Sequence, residues 1–315
     1  MLKLCNFSNY PGDLERINYN SSQDLKEFLS LHGLNGVELM LCQAWDSQII
    51  PSSLIKGIHL REWPIWLDFW QGNQGALLEY FGSREKISEY YGGQTKEVLV
   101  QGYQEQIREA EKTGAEYVVF HVSHTQVKHI LDRKFTCSDE DVVEATIELL
   151  NKIFLNFESQ ITLLLENLWM RGLTFLKPQL AQRLLDEINY PYKGFMLDTG
   201  HLLNTNPFLT SQQEGIEYIL ETIRNLGPLK EYIQGIHLQK SLSGKYVLQN
   251  SSREVKPEEM MEHIFKLDEH KPFDDPQIRK VVEVVGPKYL VHEFITRSKE
   301  EWSSFLTTQN KALGL

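Results

Sequence analysis

Along this chain, short apolar runs that end in one polar residue alternate with stretches whose apolar residues recur at helical spacing. The runs are LKLCN (2–6), GVELML (36–41), GIHL (57–60), YVVFH (117–121), ITLLLEN (161–167), GFMLD (194–198), a second GIHL (235–238) and YLVHE (289–293). Short, mostly aliphatic or β-branched runs of this kind are expected of strands buried on both faces of a parallel sheet. The stretches between them predict helices: from Ser22 to a glycine stop at Gly33, from Lys96 to Lys112 before Gly114, and over 142–157 after a capped, acidic start at Ser138. Pro178 suits a first helical position before 179–188, and further helices are expected near 214–226, 257–267 and 298–309.

Eight such alternations leave two α/β architectures, an open doubly wound sheet or a closed barrel. No Gly-x-Gly-x-x-Gly follows the first strand, which removes the usual reason for a dinucleotide fold. The expectation is therefore one (β/α)8 TIM barrel domain over residues 1–315. Two connections exceed ordinary loop length. One, after strand three, runs from Arg61 to about Gly93 and carries eight aromatic residues, among them Trp63, Trp66, Trp70 and Tyr91. The other, after strand seven, runs from Gln239 to Pro287. Both leave the C-terminal mouth of the barrel, where enzymes of this architecture place their chemistry.

The strand ends carry that chemistry. Strands three to eight finish at His59, His121, Glu166, Asp198, His237 and Glu293. The fold brings all six to one mouth, and a buried carboxylate needs a partner or a cation. A divalent metal, Zn or Mn, is the natural counter-charge for that mixture of imidazole and carboxylate. Glu38, on strand two, is expected to accept a hydrogen bond from a ligating histidine. His124, His129 and His292 are given ordinary structural or surface roles.

Composition narrows the partners. The 315 residues hold 32 Lys and Arg against 43 Asp and Glu, a formal charge of −11, and basic runs are absent. That balance speaks against nucleic acid and for a small-molecule substrate. The cysteines Cys5, Cys42 and Cys137 are odd in number and widely spaced, as free thiols of a reducing compartment are. With no long apolar run at the start and none of the ~18 residues a span needs, a cytoplasmic chain without a membrane is expected. The aromatic segment at 61–93 suits a lid, a small hydrophobic subdomain or a contact within a homo-oligomer.

The motifs GIHLREWP, VVFH, LLLEN, MLDTGH, GIHLQKS and LVHEF, spread over about residues 36 to 295, resemble the xylose isomerase-like TIM barrels. That superfamily includes sugar isomerases, epimerases and apurinic endonuclease IV. The resemblance implies a single-metal site at Glu166, Asp198, His237 and Glu293 in the manner of the epimerases. The fuller endonuclease pattern implies three ions: His59, His121 and Glu166 for the first, the four epimerase positions for the second with Glu166 shared, and His201, Asp268 and His270 for the third. Asp268 stands 31 residues beyond His237, a wider gap than that pattern has, and its alternative is a solvated helix end beside Lys266 and Lys271.

Two activities follow. With one metal, Glu166 and Glu293 serve as the acid and base of an isomerase or epimerase. With two or three, the chain hydrolyses a phosphodiester in a small molecule, corrinoid (cobamide) remodelling being the candidate named by resemblance. The second activity gives every ligand a task and is the leading expectation. A binding barrel without catalysis is the remaining class. Arg61 and Lys240 are expected to contact phosphate, and Trp66 and Asn167 to contact substrate.

Overall fold

The computed structural model describes residues 1–16, 19 and 21–315. Eight parallel strands close into a barrel in chain order: β1 (Leu2–Ser8), β2 (Gly36–Met40), β3 (Ile55–His59), β4 (Tyr117–His121), β5 (Thr162–Glu166), β6 (Lys193–Asp198), β7 (Ile233–Leu238) and β8 (Tyr289–His292). The ring is sealed by β8 against β1, with Leu2 opposite Tyr289. Helices surround it, so the architecture is the (β/α)8 barrel.

The two-residue period of a strand explains where the polar ends go. Leu4, Tyr117, Val119, Leu164, Met196, Tyr289 and Val291, drawn from five strands, pack together inside the barrel. The Tyr117 and Tyr289 rings lie 4.2 Å apart. Gly57 makes room for them, since a Cβ there would stand 2.1 Å from the Tyr117 ring. Two residues beyond Val119, Leu164, Met196 and Val291 come His121, Glu166, Asp198 and Glu293. The apolar layer is thus the floor of the mouth, and the same strand parity lifts the polar ends above it.

Helix boundaries follow local chemistry. The helix expected over 142–157 runs Asp139–Ile153 instead, and Asn156 just beyond it sits at φ 57, a left-handed turn that ends the element. The expected 257–267 segment begins as a short 3-10 turn, Pro257–Glu259, before the helix Met260–Leu267. No helix among the described residues is long and apolar enough to cross a membrane.

The connection after β3 folds into three short helices, Leu67–Gln71, Gln74–Phe81 and Arg84–Tyr91. Each stops at a left-handed glycine, Gly72, Gly82 or Gly92, a conformation costly to other residues. Its aromatics turn inward: Phe69 stacks on Tyr91 with centroids 3.8 Å apart, and the Trp70 indole donates to Glu148 at 3.0 Å. Trp63, Trp66, Phe69, Trp70 and Tyr91 are all buried. The segment is a hydrophobic layer packed onto the barrel's main core.

The connection after β7 is tied at its base. Lys240 and Lys271 exchange backbone hydrogen bonds of 2.7 and 3.0 Å, so the intervening excursion leaves the mouth and returns to it.

Candidate metal centre

That tie resolves the wide spacing noted in the sequence. Asp268 and His270 come back over the barrel, buried, against His201 from the MLDTGH motif. Asp268 Oδ2 lies 3.2 Å from His201 Nε2 and 2.7 Å from His270 Nε2. They are not a solvated helix end.

Glu166 is the hub. Its fully buried carboxylate has four imidazole nitrogens around it: His59 Nε2 at 3.3 Å, His121 Nε2 at 3.1 Å, His237 Nδ1 at 3.1 Å and His201 Nδ1 at 3.2 Å. His237 Nδ1 also meets Glu293 Oε2 at 3.2 Å and Asp198 Oδ2 at 3.9 Å. Among the described residues these atoms form groups whose ligand atoms all lie within 4.8 Å of one another: His59, His121 and Glu166; Glu166, Asp198, His237 and Glu293; His201, Asp268 and His270. A fourth grouping, Glu38 with His59 and His237, reuses two of the same imidazoles.

The donor set fits divalent cations on two further counts. Ligand atoms of a tetrahedral zinc stand about 3.3 Å apart, and the contacts around Glu166 have that spacing. Glu166 Oε2, Asp198 Oδ2 and Glu293 Oε2 are buried with no well-directed hydrogen bond among the described residues, a costly state for carboxylate oxygens unless a cation serves them.

Each imidazole also has an anchor. His59 Nδ1 faces the Leu60 carbonyl at 3.0 Å, His201 Nδ1 the Asn167 carbonyl at 3.0 Å, and His270 Nδ1 the Glu293 carbonyl at 3.3 Å. His237 Nε2 faces Glu38 Oε1 at 3.0 Å, and His121 Nδ1 faces Glu62 Oε2 at 3.0 Å. Glu38 is in turn fixed by the Tyr117 hydroxyl, which donates to it at 2.8 Å. Ligating histidines carry this kind of outer hydrogen bond, which fixes the ring and its tautomer.

Without an ion, protons must balance the charge. Burial pushes the His121 imidazolium down, but Glu166 and Glu62 override it and raise the pKa to about 10. Burial likewise opposes charge on His270, while Asp268 raises it to about 9. Burial first, then the neighbouring Glu293 and Glu166 charges, push Asp198 well above the usual carboxylate range against the pull of His201. Glu166 is held well below that range: the charges of His237 and His121 outweigh its burial. These protons are what a bound cation displaces.

Other expected positions fall differently. The Asn167 amide donates to the Asp198 carbonyl at 3.0 Å and accepts the Asp198 N–H at 2.9 Å, clipping the ends of β5 and β6 together. Trp66 is buried with its indole N–H on the Ser123 carbonyl at 2.6 Å, which docks the aromatic layer onto the barrel. Lys240 is half-buried near Asp274 and Glu269, and burial lowers its pKa. Arg61 is exposed, its guanidinium 5.7 Å over the Trp63 ring. His124 and His292 are buried and structural: His124 accepts from the Trp66 and Leu67 backbone, and His292 meets Gln309.

Sequence reasoning missed Glu62, Gln239 and Ser241. The Gln239 amide donates to Asp198 Oδ1 at 3.0 Å and to Asp268 Oδ1 at 3.2 Å, linking two clusters. Ser241 Oγ lies 2.8 Å from Gln239 Oε1 and 3.2 Å from Asp268 Oδ1. The sharp approach of Gly200 to Gln239, where a Cβ would stand 1.9 Å from the amide, is the physical reason for glycine in MLDTGH.

Residues 92–286 match the family model described as the xylose isomerase-like TIM barrel. The chain belongs to that family. No curated protein matches it by sequence. Solved structures with this fold include endonuclease IV of Thermus thermophilus (15% identity, TM-score 0.55, covering 100% of this chain and 99% of the other). The 3-keto-D-glucoside 4-epimerase YcjR of E. coli is similar at 8% identity and TM-score 0.57 over 100% of both chains. Mannonate dehydratase of Streptococcus suis serotype 2 is similar at 12% identity and TM-score 0.55, over 99% of this chain and 92% of the other. At such identities the likeness speaks for the fold. An endonuclease, an epimerase and a dehydratase thus share this barrel fold, so the choice among activities rests on the site.

Proposed function

We propose that the chain is a divalent-metal-dependent hydrolase of a phosphodiester in a small molecule, working with two or three Zn or Mn ions. The observation that carries this reading is the third cluster, in which a long excursion delivers Asp268 and His270 onto His201. His59, His121 and Glu166 would hold one ion, Glu166, Asp198, His237 and Glu293 a second, and His201, Asp268 and His270 a third. When bound, such ions supply Lewis-acid chemistry, polarising a phosphoryl group and acidifying water. Glu166 and Glu293 are the carboxylates at the reacting centre. The anchors Glu38, Glu62 and Asn167 hold the imidazoles in place, and the apolar floor excludes water from below.

The second reading is a sugar or sugar-phosphate isomerase or epimerase. It is favoured by the completeness of the Glu166, Asp198, His237 and Glu293 group, which needs no other ion. It leaves His59, His121, Asp268 and His270 without a required task, and so it ranks below hydrolysis. The net charge of −11 supports a small-molecule substrate over a nucleic acid. Corrinoid remodelling stays the candidate substrate class.

Two assays on the metal-loaded chain separate the readings, one with bis(p-nitrophenyl) phosphate and one for ketose isomerisation. Phosphodiester turnover that Glu166→Gln abolishes, with the barrel still folded, supports the hydrolase. Isomerisation without phosphodiester turnover supports the second reading. Full activity in Glu166→Gln contradicts both.

A further inference from the structure

Beside the metal centre, over the rim formed by the exits of β2 and β3, lies a second open chamber of about 740 Å³. Its walls include Trp45, Trp63 and Tyr90, with Arg61, Glu89 and Glu105 among its polar residues. Arg61 comes two residues after His59, so the chamber begins where the β3 ligand ends. Glu62, next in the chain after Arg61, touches His121 at 3.0 Å. We infer that this chamber is a binding subsite for a planar heteroaromatic group with hydrogen-bond donors on its edge, the non-reacting part of the substrate.

The chemistry of the walls selects that class. Trp63 is buried beneath Arg61, but the half-buried Trp45 indole and Tyr90 phenol can take flat π systems, and stacking tolerates any ring that presents a face. Glu89 and Glu105 make no ion pair among the described residues, so two acceptor carboxylates border the chamber. They reward amino or ring N–H donors on the ligand and repel a second anion. The Arg61 guanidinium stacks on Trp63 at 5.7 Å, which fixes a cation on one wall for the acceptor edge of the same ring. The volume lies within the range of small-molecule sites and exceeds what one sugar ring would fill. In the proposed function the phosphodiester sits on the metal centre and the heteroaromatic group lies over the rim; that placement rests on the proposed hydrolase, while the subsite itself does not.

The test therefore uses the full chain stripped of metal by chelation. Tryptophan fluorescence is titrated with adenine and with benzimidazole as planar probes, and with glucose and cyclohexylamine as controls without a flat ring. Saturable quenching by a planar probe alone is expected. Trp45→Ala is expected to weaken it about tenfold, as loss of one stacking face does. Glu105→Gln, at an exposed helix position that leaves the fold intact, is expected to weaken binding of the amino-bearing adenine more than binding of benzimidazole. Equal binding of glucose, no saturable quenching by either planar probe, or unchanged affinity in both variants would overturn the subsite. A chamber that binds adenine in a protein that hydrolyses no phosphodiester would refute the hydrolase and leave the subsite standing.

Discussion

The two long connections leave the same mouth and do opposite things. The one after β3 is rich in rings and spends them on packing, within itself and onto the barrel: Phe69 on Tyr91, Trp66 on the Ser123 carbonyl, Trp70 on Glu148. The one after β7 returns Asp268 and His270 to the barrel, where Gln239 and Ser241 hold the Asp268 carboxylate. Apolar side chains buried against each other stabilise a layer, whereas buried charges without a cation cost stability. The lesson is that an excursion's composition tells what it adds, packing in one case and ligands in the other.

Substitutions can separate these roles. The largest effect is expected from Asp268→Asn, which should remove one ion from the loaded protein and lower phosphodiester turnover by more than the ~10–100-fold typical of residues that merely orient a ligand. Mass-spectrometric metal counting alongside the assay checks it, and the aromatic layer should stay intact by near-UV circular dichroism. Next comes Phe69→Ala, expected to cost about 3–5 kcal/mol of stability in denaturant titration while leaving the ion count unchanged. If Phe69→Ala instead strips an ion, or Asp268→Asn only destabilises, the division between the two connections fails.

A smaller effect should come from pH. His124, which accepts two backbone N–H groups from the aromatic layer, is pushed down to about 4 by burial, with Glu62 only partly opposing. A lowered histidine contributes stability that is present above its ordinary value of about 6.5 and lost as pH falls through the folded value. His270, raised to about 9 in the ion-free state, contributes stability that is present below about 6.5 and lost as pH rises through 9. Thermal melts of the chelated protein should therefore fall on the acid side, where His124 and the lowered Asp268 lose their contributions, and on the alkaline side, where His270 and His121 lose theirs. Added Zn or Mn should abolish only the alkaline loss, because a cation replaces the proton. An alkaline loss that survives the metal would contradict this assignment.

The barrel was readable because each strand is a short apolar run, and the mouth because strand parity puts His121, Glu166, Asp198 and Glu293 two residues above apolar neighbours. Asp268 and His270 were harder. Their sequence distance is set by an excursion whose closure depends on the backbone pair Lys240 and Lys271, and a backbone hydrogen bond leaves no mark in side-chain pattern. The ties made by Trp66 and Asn167 were not legible either, because an indole or amide near a mouth has the same identity whether it meets substrate or ties two loops. Glu62 and Gln239 lie on loops without periodicity, so only the fold brings them to His121, Asp198 and Asp268.

The central claim is that the three ligand groups together hold more than one ion, with the Asp268 group holding one of them. Its most direct measurement is the number of divalent ions per chain in the protein purified without chelator and saturated with Zn or Mn. The account predicts two or three, with Asp268→Asn holding one fewer. A saturated value of one, unchanged in Asp268→Asn, would contradict it.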